Sequence, residues 1–184
     1  LPEPDSEMKK EFIYVGWLDK RKGFPEFFRL VEKAPGNKYR VVGPPRDETG
    51  HHYFNRLKDF PNVRLMGALS HNQTLKEIAC AKALISTSPS EGFPNVFIEA
   101  WAYGIPVISL NIDPGNVIEK EGLGVFAHGS METMLQALND HPGGVDFAKK
   151  AKSYVESNHA LTSLKISEIN RIFTELRYGK DRIS

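Results

Sequence analysis

Short apolar runs that end on glycine or turn residues alternate along this chain with stretches whose apolar residues recur every three or four positions. The first pattern suits strands and the second helices. Glu11-Phe12-Ile13-Tyr14-Val15-Gly16 is the first apolar run and predicts a strand; further strands are predicted over 39–43, 63–67, 83–87, 106–110 and 124–127. Between them the spacing predicts helices over 24–32, 53–59 (a weak pattern), 73–81 and 95–103, with a short one near Val117. Pro25 falls where a first helical turn accepts proline. Residues 44–50, rich in Pro, Asp and Gly, read as a loop. From Met131 onward the pattern predicts two or three helices, the last over 161–178.

Apolar strands of five or six residues, each followed by a helix, imply a parallel sheet covered on both faces. Right-handed crossovers make that an α/β doubly wound sheet. Ligands of such sheets bind at the carboxyl ends of the strands, in the loops that lead into helices. At 184 residues the chain suits one domain, with 1–10 as a polar linker, 11–160 as the α/β core and 161–184 as a carboxyl-terminal helix. Because it opens without Met on Leu1-Pro2-Glu3-Pro4, the chain is expected to be a piece of something longer.

Composition narrows the chemistry. The 24 Lys and Arg balance 23 Asp and Glu, which gives no general drive toward nucleic acid or an anionic membrane. The single cysteine, Cys80, excludes an intrachain disulfide framework and a cysteine-rich zinc site. No apolar run approaches the ~18 residues of a membrane span.

Two loops carry candidate chemistry. Ser88-Pro89-Ser90-Glu91-Gly92-Phe93-Pro94-Asn95-Val96 leaves the fourth strand and opens a helix near Asn95. The first N–H groups of that helix, on Asn95, Val96 and Phe97, lack internal partners and with the helix dipole suit an anion. Gly92 admits close approach to the backbone. Glu91 and Glu99 are suited to accept from sugar or ribose hydroxyls; equally, Glu91 could be a capping acid and Glu99 a solvated helix residue. Gly16-Trp17-Leu18-Asp19-Lys20-Arg21-Lys22-Gly23 follows the first strand and puts three cations at the same sheet edge, fit to hold phosphate oxygens or to form a solvated turn. It is neither a P-loop nor a G-x-G-x-x-G.

Together the two loops resemble a known family. Glu91 to Ala100, followed by Gly104-Ile105-Pro106-Val107-Ile108, is similar to the E-x7-E signature of retaining glycosyltransferases of family 4, and Gly16 to Gly23 to that family's G-R-x-x-x-x-K-G loop. Asn62-Val63-Arg64-Leu65-Met66-Gly67 and Asp113-Pro114-Gly115-Asn116-Val117 fall where related segments occur. The resemblance implies the Rossmann-like, donor-binding half of a GT-B enzyme, with the amino-terminal acceptor half absent from the chain. The whole enzyme would be a hexosyltransferase-type glycosyltransferase. It would move a sugar, with retention, from a nucleoside-diphosphate sugar to an acceptor hydroxyl in polysaccharide or glycoconjugate synthesis, while the fragment alone would bind and not transfer.

By the same resemblance Glu99 would accept from the ribose hydroxyls and Glu91 would contact the donor sugar. Gly16 belongs to the phosphate-facing loop; Gly92, Phe93, Asn95 and Val96 would hold sugar hydroxyls and diphosphate through their backbone. Lys22 would neutralise the diphosphate leaving group, and Ala68 and Leu69 would line the base pocket. No metal or other cofactor is implied, and the only partners are the nucleotide sugar and the amino-terminal half, through which peripheral association with a membrane is expected. The location implied is cytoplasmic, at the inner membrane face. The family usually has Arg where this chain has Trp17, and Lys20 or Arg21 are its candidate replacements.

Other readings stay open: a nucleotide-sugar-binding or regulatory module without catalysis, or another GT-B enzyme such as a nucleotide-sugar epimerase. His51 and His52 are expected on a surface loop, His71 at a helix start, and Cys80 as a small buried side chain. Phe27, Phe28 and Leu30 are expected in the core, and Lys149, Lys150 and Lys152 on a solvated face.

Overall fold

Phe12, Ile13 and Tyr14 are all buried, so the first strand, β1 (Glu11–Val15), is covered on both faces. In this computed structural model, which describes residues 11–140 and 143–159, five more strands join it: β2 (Lys38–Val42), β3 (Val63–Gly67), β4 (Leu84–Ser86), β5 (Val107–Ser109) and β6 (Gly124–Phe126). Every pairing is parallel and the order is β3-β2-β1-β4-β5-β6. The winding therefore reverses between β1 and β4, where Ile13 pairs with Leu84 and Tyr14 with Ile85. The doubly wound, Rossmann-like α/β fold expected from the alternation is the fold observed.

Among the described residues seven helices cover the sheet: α1 (Phe24–Lys33), α2 (Glu48–Leu57), α3 (His71–Ala79), α4 (Asn95–Ala102), α5 (Val117–Lys120), α6 (Met131–Asp140) and α7 (Val145–Asn158). Alternate strand residues feed two separate cores. Phe12, Tyr14, Tyr39, Val41, Ile85 and Ile108 pack with Phe24, Phe27 and Phe28 of α1 and with Met134 and Leu138 of α6. Ile13, Val42, Leu84 and Val107 pack instead with Ile78 of α3, Phe97 and Trp101 of α4, and Ala151 of α7. Arg40 is the charged exception on that second face, 4% exposed and ion-paired with Glu11 at 3.0 Å and with Glu77. A guanidinium keeps its charge when buried, and its desolvation is offset only by such partners.

Two helices begin earlier than their apolar spacing predicts, and capping explains both. Ser70 and Gln73 form a reciprocal capping box, so α3 starts at His71 rather than Gln73. Asp47 accepts from the Gly50 N–H at 2.6 Å and opens α2 at Glu48, within the segment that reads as a loop. Gly50, a poor helix former, is present because a Cβ there would lie 1.7 Å from the Leu18 carbonyl oxygen. His51 and His52 consequently ride on α2, exposed, instead of on a loop. Cys80 caps α3 and is only half-buried, because the core beside it is filled by Ile78 and Ala81. Lys149, Lys150 and Lys152 are exposed on α7 as expected, and the helix predicted over 161–178 lies outside the described residues.

Candidate functional site

At the reversal between β1 and β4 the loops on the two sides diverge, leaving a cleft of about 430 Å³. Tyr14, Val15, Gly16, Trp17 and Lys22 form one wall; Ser86, Thr87, Ser88, Glu91, Phe93, Asn95, Val96 and Glu99 form the other. Seven of the ten residues singled out from the sequence therefore meet here: Gly16, Lys22, Glu91, Phe93, Asn95, Val96 and Glu99. Gly92 sits between Glu91 and Phe93 but off the wall, and a Cβ on it would meet open space. Ala68 and Leu69 follow β3 and do not line the cleft; His71, just after them, has its Nδ1 3.8 Å from Glu99 Oε1.

The basic loop is shaped from within. Asp19 is buried and accepts from the Lys22 N–H at 2.8 Å, capping a 3-10 turn over Lys20–Lys22. Asp19 is not among the residues singled out from the sequence, although an acid three residues before an N–H it can cap is the signal that could have found it. The turn directs Lys22 to the cleft and leaves Lys20 and Arg21 exposed, away from the wall. Neither lines the cleft. Tyr14 reaches up from β1 and donates to the carbonyls of Trp17 and Lys22, at 3.3 and 3.2 Å. Burial, with the nearby Asp19 and Glu91 carboxylates, raises its pKa far above the usual phenol, so it remains a donor at any physiological pH. Nothing in the sequence separates Tyr14 from the other apolar residues of β1.

The acidic loop meets the basic one directly. Lys22 Nζ donates to Glu91 Oε1, and the same oxygen accepts from Ser88 Oγ at 3.1 Å. Glu91 is thus not a cap: α4 has no side-chain cap at all, and Pro94 occupies that position. Glu99, with a quarter of its side chain exposed, is part of the wall rather than a fully solvated helix residue. The Phe97 N–H bonds back to the Pro94 carbonyl at 3.0 Å, so the outward amides of α4 are those of Asn95 and Val96, one fewer than expected. Asn111 donates to the Thr87 and Ser88 carbonyls at 3.3 and 3.5 Å and fixes the start of this loop.

The cleft thus joins two amide donors at a helix start and one ammonium to two carboxyl groups and several hydroxyls. The first set suits an anion and the second a polyhydroxyl group. The Lys22–Glu91 pair, 34% and 21% exposed, is worth on the order of 0–1 kcal/mol, so a ligand can replace it. Among the described residues no three His, Cys, Asp or Glu side chains gather as metal ligands, and no helix is long and apolar enough to cross a membrane.

A doubly wound sheet with such a cleft at its switch point has the layout of a Rossmann-like nucleotide-binding domain. Comparison with known proteins makes this specific: the chain belongs to the glycosyl transferases group 1 family, which matches residues 2–153. It is 28% identical over 153 residues to the lipopolysaccharide 1,6-galactosyltransferase of Escherichia coli strain K12, covering 78% of this chain and 43% of that protein. Among solved structures it superposes on S. aureus TarM with a TM-score of 0.70 at 20% identity, covering 90% of this chain and 35% of TarM. Anabaena HepE in complex with UDP gives a TM-score of 0.69 at 15% identity, covering 90% of this chain and 49% of HepE. The chain spans less than half the length of the curated relatives it matches.

Proposed function

We propose that this chain is the donor-binding half of a retaining, family 4-type GT-B glycosyltransferase whose amino-terminal half supplies the acceptor site. The observation that carries the reading is the convergence of Lys22, Glu91, Glu99 and the free amides of Asn95 and Val96 on one cleft, from loops 69 residues apart. The galactosyltransferase relative and the UDP held by HepE support it. In the reaction, the bond from the sugar's anomeric carbon to the diphosphate breaks and its electron pair leaves with the diphosphate. The acceptor hydroxyl oxygen forms the new bond to that carbon on the face the diphosphate leaves and passes its proton to the departing phosphate oxygen. Lys22 and the α4 amides meet the charge that grows on the departing phosphate, where preorganised donors act most strongly. Glu99 accepts from the ribose and Glu91 from the sugar, having exchanged Lys22 for a hydroxyl. The proposed enzyme meets its acceptor at the cytoplasmic face of a membrane, through the amino-terminal half.

Calorimetric titration of the chain with UDP, GDP, ADP and their sugar conjugates tests this. One nucleotide should saturate the chain, and Glu99→Ala should weaken it about tenfold to a hundredfold, the loss of hydrogen bonds to a charged acceptor. Binding by none of them to folded protein would overturn the reading. Donor and acceptor sugars added together should give no transfer product with this chain alone, and efficient turnover would show that a second half is not needed.

A further inference from the structure

The cleft wall carries one cation, Lys22, against the carboxyl groups of Glu91 and Glu99, and Lys22 is already engaged by Glu91. A diphosphate placed there needs more positive charge than the wall holds. A further source at its rim is Arg46, whose guanidinium carbon stands 5.1 Å from the ring centroid of Trp17, itself a cleft residue.

The backbone makes this a built arrangement. The pairing of β1 with β2 does not stop where the strands end: Gly16 N–H donates to the Val42 carbonyl at 3.0 Å and Leu18 N–H to Pro44 at 3.1 Å. Arg46 N–H then donates back to the Leu18 carbonyl at 3.2 Å, and Leu18 and Pro45 form a parallel bridge. The two loops therefore run on in register, which sets Arg46 beside Trp17. Asp47 adds a tie, accepting from the Lys20 N–H at 3.1 Å while it caps α2. Trp17 is 46% exposed, so its ring is open to the Arg46 guanidinium that stands over it. An indole face is the best aromatic seat for a guanidinium, and stacking leaves the planar N–H fork free for phosphate oxygens.

Building on the donor-site reading, we infer that Arg46, seated on Trp17, is a second phosphate-binding cation of this cleft. The loop after β2 adds a cation to the one, Lys22, that the loop after β1 brings to the wall, and Trp17 is the positioning residue that aims it.

The test titrates the chain with UDP, GDP and ADP and with the corresponding nucleosides. For whichever diphosphate binds, Arg46→Ala should weaken affinity about tenfold to a hundredfold while the nucleoside binds unchanged. Arg46→Lys should recover part of the loss, since an ammonium keeps the charge without the fork. Trp17→Ala should lose about as much as Arg46→Ala, and the double variant little more, because the two act as a unit. Wild-type diphosphate affinity in Arg46→Ala, with Glu99→Ala still weakened, would overturn this inference and leave the donor site standing. Loss of nucleoside and diphosphate together in Arg46→Ala would show a collapsed loop and also overturn it. No binding to the wild-type chain would end both readings.

Discussion

Trp101→Ala should cost the fold about 3–5 kcal/mol, read as a lower midpoint in urea and a thermal midpoint down by roughly 10–15 °C. Trp101 is fully buried on α4 and its indole N–H donates to the Leu123 carbonyl at 2.9 Å. Phe97 and Tyr154 meet it edge-on at 5.8 and 5.7 Å, and Phe93 at 6.3 Å. Truncation removes the largest side chain of the second core and leaves a void among rings that cannot close it. Trp101→Phe should cost about 1 kcal/mol by comparison, since the Leu123 carbonyl keeps a second donor, the Val107 N–H at 3.3 Å. Because the residues from Asn95 to Glu99 share this helix, donor affinity in Trp101→Ala should fall together with stability. A loss below 1 kcal/mol would show that this core does not support α4.

Gly23→Ala should be nearly as damaging, at about 2–5 kcal/mol. Gly23 has φ +66°, and a Cβ on it would lie 1.9 Å from the Thr87 carbonyl oxygen. The Thr87 hydroxyl in turn donates to the Gly23 carbonyl at 2.7 Å, so the two loops of the cleft are in backbone contact there. Gly67 is the control: its φ is +67° but no atom lies within 4 Å of the added Cβ. Gly67→Ala should therefore show only the left-handed penalty, about 1–2 kcal/mol. Chemical denaturation of both variants separates backbone strain from collision. Equal losses would refute the role of the Gly23–Thr87 contact.

The strands were legible because burial on both faces writes them as unbroken apolar runs, as in Phe12-Ile13-Tyr14-Val15. Parallel topology then placed the cleft at their carboxyl ends, and Glu91, Glu99 and Lys22 lie there. What could not be read is what depends on tertiary register. The Lys22–Glu91 bond joins segments from opposite sides of the switch point, and each residue alone also suits a solvated turn. From the residues alone Lys22 could not be told from Lys20 and Arg21; only the family resemblance singled it out, and the Asp19-capped turn is what faces it inward. Arg46 gave no local signal at all, since only the continued β1–β2 ladder brings it to Trp17. The start of α2 was hidden by Gly50, which the Leu18 carbonyl demands and helix propensity disfavours.

The placement of β1 between β2 and β4 also dictates an order of assembly. As the chain leaves the ribosome, β1 can pair at once with β2, but its other edge must wait until Leu84 and Ile85 have been made. Until then the nascent protein carries an open apolar strand edge, the kind of surface that invites pairing with a neighbouring chain. Insertion of β4 closes that edge, and the same event carries Glu91 to Lys22 and Thr87 to Gly23. The cleft is therefore not added to a finished scaffold. It comes into being in the step that joins the two halves of the sheet, so a nascent chain acquires its binding site as it covers the open edge of β1.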